Sequence, residues 1–360
     1  YFISRPHKFG KSNFLQMLRA FFVGNESLFR GLDGVPVNHN WSGYSVIYFD
    51  FTRANIDSRK KFLIDLSGVV VRAGKTYDVN VNAKRHFEFQ LRELILDLSE
   101  RRPESVVVLV DNFDRPVRRN IERGGKNAAQ ELNECLEDFL ELLKGVVESL
   151  KLVVVTGVTN IRIMKFSSIV SNFCDITNDP EFSAIAGFTH GEVTSYFYDH
   201  IQAMADEYKD DFRNITNAMK NKYGSYCFAS MNPEERMPIL NPASVISCLE
   251  FKKVDNYWCK TPSKIPDYII KYFRENRLTT KYFQNSKVLR KTLEKKYDFE
   301  KEIPMEVYLI LHGYLTYRGY DAENELFTVG FANKEVEETF LDQMLDLDPR
   351  LTLTSEAADG

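Results

Sequence analysis

Cysteine is scarce in this chain and poorly spaced for metal or disulfide work. Five cysteines, at 135, 174, 227, 248 and 259, are spread over 360 residues with no Cys-x-x-Cys pair. An odd, scattered set argues against a zinc knuckle or a disulfide framework and points to a reducing compartment. Long apolar runs are also missing. Residues 106–110 and 152–155 fall far short of the roughly 20 residues that span a bilayer, so no membrane partner is expected. Neither charge dominates, since 47 Lys and Arg face 51 Asp and Glu for a net charge of −4. Bulk electrostatics therefore give no pull toward nucleic acid or anionic lipid, and such a partner would need a local patch. The six histidines (7, 39, 86, 190, 200 and 312) show no metal-ligand spacing. There is no internal repeat and no low-complexity tract. The composition is 44% apolar and 27% charged, that of a globular chain of about two domains.

The order of elements in the first half is informative. A short apolar start at residues 1–4 precedes a helix over 13–22, with Leu15, Leu18 and Phe22 on one face. A strand is predicted over 45–51, helices over 59–73 and 83–100, a strand over 105–111, a helix over 128–150 and a strand over 152–156. Asp175 and Ile176 can open one more short strand. The run Ser-Val-Val-Val-Leu-Val-Asp at 105–111 is apolar throughout, as in a parallel strand buried on both faces. Such alternation predicts an α/β fold with a parallel sheet flanked by helices. From His190 to about Phe251 the pattern is helical. Residues 314–318 and 325–329 then read as a β-hairpin among helices, the shape of a winged-helix-like module. The expected division is a core over 1–190, a helical lid over 191–255, the hairpin module over 256–345 and a disordered tail over 346–360.

Three strand ends carry the chemistry. Arg5-Pro6-His7-Lys8-Phe9-Gly10-Lys11-Ser12 joins the first strand to the first helix. A phosphate loop needs backbone N–H groups aimed at the phosphates, a helix amino end behind them and a lysine on the β/γ oxygens. Gly10, Lys11 and Ser12 supply the last part of G-x-x-x-x-G-K-[ST], with Arg5 where the first glycine belongs. Phe9, Gly10, Lys11, Ser12 and Asn13 are therefore the candidate nucleotide-binding residues, and Ser12 is a candidate ligand of Mg²⁺. The strand over 106–110 ends in Asp111, which has the form of a Walker-B carboxylate and is the second candidate metal ligand. Asn112 follows, where many nucleotide hydrolases place a glutamate. An amide can orient water but cannot accept its proton, so binding is expected and hydrolysis is expected to be slow. An Asn112→Glu variant is then expected to raise turnover by about tenfold or more. Asp114 lies just beyond this strand end. The third strand ends in Thr156-Gly157-Val158-Thr159-Asn160. Thr156 is the candidate sensor of the γ-phosphate, with Thr159 and Asn160 as alternatives and a turn-closing hydroxyl as the structural reading.

These segments together resemble the AAA-ATPase-like domain family, whose members are often fused to a C-terminal PD-(D/E)xK nuclease-like domain. Residues 1–12 are similar to that family's YFISRPRRFGKS, so Arg5 is the family's own version of the loop. Residues 107–117 (VVLVDNFDRPV) resemble VVLIDEYDKPI. Residues 156–193 are similar to the long family segment that begins TGVTKFSK and ends GFTEEEV. Leu-Asn-Pro-Ala-Ser at 240–244 and residues 313–336 extend the likeness over nearly the whole chain. The resemblance implies a P-loop fold, ATP rather than GTP, Mg²⁺, and roles for Lys11, Ser12 and Asp111. It also marks Asn112 as a departure from the usual glutamate.

Arg115, Arg118, Arg119, Arg123 and Lys126 form a basic stretch, read first as a mobile loop helped by Gly124-Gly125, with nucleic acid or a neighbouring subunit as the alternative partner. Arg162 and Lys165 read first as solvated surface residues, with a role for Arg162 on γ-phosphate charge as the alternative. Glu250-Phe251-Lys252 has the letters of a nuclease E-x-K but no aspartate upstream to complete it, so no nuclease activity is expected. The sequence thus predicts an ATP-binding conformational switch with slow hydrolysis. A non-hydrolysing P-loop scaffold for a protein client, or a nucleic-acid-binding accessory module, stands as the alternative. Tyr1 in place of Met is expected of a piece of a longer chain, and the expected location is cytoplasmic.

Overall fold

The computed structural model describes residues 1–32, 35, 41–158, 173–228, 237–258, 265, 267–276, 280–284, 286–295 and 303–347. The chain folds as two compact units. One is built of Tyr1–Ser4 and Lys11–Ile176, the other of Arg5–Gly10, Thr177–Tyr297 and the chain from Lys301 onward.

The first unit holds β1 (Phe2–Ser4), α1 (Lys11–Val23), β2 (Ser45–Asp50), α2 (Arg59–Thr76), α3 (Phe87–Arg101), β3 (Val106–Asp111), α4 (Arg115–Glu122), α5 (Lys126–Gly145) and β4 (Leu150–Gly157). The four strands form one sheet in the order β1-β4-β3-β2, and every pair is parallel. Beyond β1 a single parallel bridge joins Phe2 to Asp175, which is how the predicted further strand is realised. The sheet is covered on both faces. Ile47, Phe49, Val106, Val108, Val110 and Val155 pack toward α2, α3 and α5, with Leu66, Leu94, Leu132 and Phe139 among their neighbours. Val46, Val107, Leu109 and Val154 pack the other way, against Leu15 of α1. Alternate residues of one apolar strand therefore serve two cores, as expected of a central parallel strand.

Two sequence expectations are corrected in this unit. The basic stretch after β3 is the helix α4 rather than a loop. Pro116 stands in its first turn, where no intrahelical donor is lost, and Arg118 pairs with both Asp114 and Glu122 at i,i+4 spacing. The helix predicted over 128–150 stops at Gly145, because a short 3₁₀ turn at Val147–Ser149 leads directly into β4.

The second unit holds β5 (Phe188–Thr189), α6 (His190–Tyr196), α7 (Tyr198–Tyr208), α8 (Phe212–Tyr223), β6 (Ile239–Leu240), α9 (Pro242–Phe251), α10 (Asp267–Glu275), β7 (Ser286–Leu289), α11 (Arg290–Glu294), α12 (Met305–Leu311), β8 (Leu315–Asp321), β9 (Leu326–Phe331) and α13 (Lys334–Leu347). Thr189 and Glu192 form a reciprocal capping box at the start of α6. The predicted hairpin is present as β8 and β9, and β7 adds a third antiparallel strand in the order β7-β9-β8. Among the described residues no helix is long and apolar enough to cross a membrane.

Candidate functional site

The carboxyl ends of β2, β3 and β4 lie side by side because the strands are parallel. Register pairs Asp50 with Asp111 across β2 and β3, and Val110 with Val155 across β3 and β4. Side chains alternate along each strand, and Val46, Tyr48, Val107, Leu109, Leu152 and Val154 all face α1. The next positions on that face are Asp50, Asp111 and Thr156. A polar row thus closes the apolar face against α1.

Asp111 is the centre of the row and only 1% exposed. The Thr156 hydroxyl donates to its Oδ1 at 2.7 Å, and the Tyr48 hydroxyl donates to its Oδ2 at 3.2 Å. Burial first, and the charge of Asp111 next, push the Tyr48 phenol far above its ordinary value. Tyr48 therefore stays a proton donor throughout the neutral range. Thr156 also accepts from the Asn112 N–H at 3.4 Å, and its carbonyl accepts from the Phe113 N–H at 2.8 Å. The sequence reading brought Asp111 and Thr156 forward as separate candidates, and the fold hydrogen-bonds them to each other. It missed Tyr48 and Asp50. The signal was a second apolar strand ending in aspartate, Ser-Val-Ile-Tyr-Phe-Asp, but only register could show that its polar residues share a face with Asp111.

Lys11, Ser12 and Asn13 form the first turn of α1, where the leading N–H groups are not consumed by the helix's own ladder. Lys11 is 6% exposed, whereas Ser12 and Asn13 are open to solvent. The other two predicted binding residues, Phe9 and Gly10, pack with the second unit. Gly10 has φ +76° and Lys8 has φ +64°, so the loop turns through left-handed backbone on both sides of Phe9. The Phe9 ring is fully buried and meets Tyr226 and Phe228 edge-on. Only its backbone is left for a phosphate. Arg5 explains its place in a loop that elsewhere starts with glycine. Its guanidinium is fully buried, donates to the carbonyls of Ile185, Thr177 and Phe182, and lies 4.5 Å over the Phe228 ring.

The groups after Asp111 are structural in their visible contacts. Asn112 has φ +56°, a left-handed conformation that asparagine tolerates better than most residues. Asp114 is buried, accepts from the Val158 N–H at 3.1 Å and pairs with Arg118 at 3.1 Å. It thereby ties the turn after β3 to the end of β4. Burial opposes the Arg118 charge, but Asp114 and Glu122 outweigh it and hold the guanidinium pKa above its ordinary value. Arg115 donates to the carbonyls of Phe51 and Ala54. Arg119 meets Glu122 as well, so three of the five basic residues are paired within the fold. Thr159, Asn160, Arg162 and Lys165 lie outside the described residues.

The donor set suits Mg²⁺. That ion holds most of its water and takes one or two carboxylates together with substrate phosphates. Asp111 and the exposed hydroxyl of Ser12 are donors of that kind. Among the described residues no group of three or more His, Cys, Asp or Glu is placed to hold a metal ion unaided.

Residues 1–167 match the AAA-ATPase-like family, described as "Predicted AAA-ATPase". The match supports an AAA-ATPase-like domain over those residues. The match takes in Lys11, Ser12, Asp111 and Thr156, and with them all four strands of the parallel sheet. A curated relative, the "Uncharacterized protein in vnfD 5'region" of Azotobacter chroococcum mcd 1, is 28% identical over 287 residues. That alignment covers 78% of this chain and 50% of the relative, so the chain spans about half the relative's length. The likeness therefore reaches well past the AAA-ATPase-like domain into the second unit.

Proposed function

We propose that this protein binds ATP with Mg²⁺ and changes shape with nucleotide occupancy. The observation that carries the reading is the polar row at the sheet edge, Asp111 with its Thr156 and Tyr48 hydroxyls, on the face covered by the helix that begins Lys11-Ser12. In this reading the α1 amino end and Lys11 take the β- and γ-phosphates, and Ser12 and Asp111 hold the metal. The metal's contribution is neutralisation of phosphate charge. Thr156 holds Asp111 in position and marks the γ-phosphate end. The α6–α9 region is read as a lid, and the three-stranded sheet with its helices as a winged-helix-like module. Hydrolysis is read as slow, since Asn112 cannot take a proton.

Calorimetry of ATP binding with and without Mg²⁺, on wild type and Lys11→Ala, tests this. Binding that depends on Mg²⁺ and is lost in Lys11→Ala is the expected result. No binding by the wild type would favour the scaffold reading, in which the fold persists for a protein or nucleic-acid client.

A further inference from the structure

Tyr48 joins the two elements that carry the candidate metal ligands. On β2 it stands opposite Leu109, which lies two residues before Asp111 on the same face of β3. From there its hydroxyl donates to Asp111 Oδ2 at 3.2 Å, while Thr156 holds Oδ1 at 2.7 Å. Its other contacts are with α1. The Gln16 side chain hydrogen-bonds to the same hydroxyl, and the Arg19 guanidinium lies 5.8 Å from the ring centroid. The phenol has one hydrogen and Asp111 takes it, so the Gln16 amide is the donor to its oxygen. Ser12, Gln16 and Arg19 follow at i, i+4 and i+7, which puts them on one face of α1. That face is turned to Tyr48, and Ser12 is its member at the amino end, where the phosphate loop enters the helix.

A ring packed between α1 and the sheet needs no hydroxyl for that purpose. Its neighbours Leu15, Val46, Leu109 and Val154 are all apolar. What the hydroxyl adds is a second fixed point on Asp111. Thr156 alone would leave the carboxylate free to swing about its Cβ–Cγ bond, and donors on both oxygens hold its plane. Mg²⁺ demands near-ideal octahedral geometry, whereas the larger Ca²⁺ accepts irregular sets and bidentate carboxylates. A carboxylate held at both oxygens therefore favours the smaller ion. Such outer hydrogen-bond partners are worth about 10–100-fold in metal affinity.

We propose that Tyr48 is a positioning residue for Mg²⁺. Its hydroxyl locks Asp111 and ties it to the α1 face that begins with Ser12, and so sets a preference for Mg²⁺ over Ca²⁺. The role rests on the nucleotide-binding reading above. Tyr48 itself bonds to neither metal nor phosphate and acts through Asp111 and Gln16.

The test measures three dissociation constants by calorimetry, for MgATP, CaATP and ATP in EDTA, on wild type and Tyr48→Phe. The variant keeps the ring and loses one hydroxyl, so its fold should survive. The expected result is a MgATP Kd raised by about tenfold or more, with CaATP and metal-free ATP each within about threefold of wild type. A merely structural role would move all three together, and that result would overturn the proposal. A folded variant whose MgATP Kd stays within about threefold would overturn it as well. Should Tyr48→Phe fail to fold, Gln16→Ala serves, because it alters an exposed side chain. It should raise the MgATP Kd by more than about threefold and leave the metal-free value in place, and an unchanged MgATP Kd would overturn the proposal. Wild type that binds MgATP no more tightly than CaATP would also overturn it, and would leave nucleotide binding standing. Wild type that binds no ATP at all would instead remove the nucleotide-binding reading, and this inference with it.

Discussion

Asn112 stands at φ +56°, with its N–H directed at Thr156. Only glycine adopts this backbone freely, and asparagine is tolerated through local hydrogen bonding. Asn112→Ala should therefore lose about 1 kcal/mol, while Asn112→Gly should stay within about 0.5 kcal/mol of wild type, measured by urea denaturation. Equal losses for the two would show that the side-chain amide, not the backbone, is what matters. The gain in turnover expected of Asn112→Glu must now be set against the same strain. Arg5 is a second case in which an apparent motif residue proves to be an anchor. Arg5→Ala leaves three carbonyls short of a charged donor in a buried place, and about 2–4 kcal/mol should be lost. Arg5→Lys should recover little, because an ammonium cannot span three carbonyls and an aromatic face as a planar guanidinium does. Lys11, Ser12, Asp111 and Thr156 were legible because each ends or begins an element at a recognisable motif. Tyr48 and Asp50 were not, since a strand's periodicity cannot say which of its faces meets which helix.

The strands β2, β3 and β4 were legible because apolar runs flanked by polar turns leave few other structures. The helices between them followed from apolar spacing, with ends that differ by a few residues from those observed. Helix α4 was hidden, because five basic residues with a Gly-Gly pair look like a solvated loop. What makes it a helix is charge pairing that needs three dimensions to see. Asp114 reaches Val158 on β4 as well as Arg118 on its own helix. Asp114→Ala strands the Val158 N–H and takes one of two carboxylates from Arg118, which keeps Glu122, so it should cost about 2–4 kcal/mol. Asp114→Asn keeps an oxygen for the Val158 N–H and loses only the charge, so roughly 1–3 kcal/mol is expected. Chemical denaturation of both variants separates the hydrogen bond from the ion pair, and equal losses would rule out that division. Strand β7 was missed for a related reason. Four residues, Ser-Lys-Val-Leu, lead straight into the basic helix α11, and only pairing with β9 identifies them as a strand.

Glu335, fully buried at the start of α13, makes the stability of the second unit depend on pH. Its carboxylate accepts from the Tyr257 and Trp258 N–H groups and from the Ser244 hydroxyl. Burial raises its pKa above the ordinary 4.5, and those three donors only partly offset the effect. A carboxyl whose folded pKa is raised binds more protons in the folded state than in the unfolded one. Its contribution is therefore complete below about pH 4.5 and is lost as pH rises through the higher folded value. Most acids in proteins act in the opposite sense, so the total stability curve will not show Glu335 by itself. The difference between wild type and Glu335→Gln will. The amide keeps an oxygen for the two N–H groups and offers an N–H to Ser244, yet it does not titrate. Wild type should lose ground against Glu335→Gln as pH is raised from 4.5 toward 8, by 1.36 kcal/mol for each pKa unit of the shift. Urea midpoints of the two proteins at matched pH values measure it. A difference that is flat with pH would mean that the three donors just cancel burial, and one that grows in favour of wild type at high pH would mean that they outweigh it.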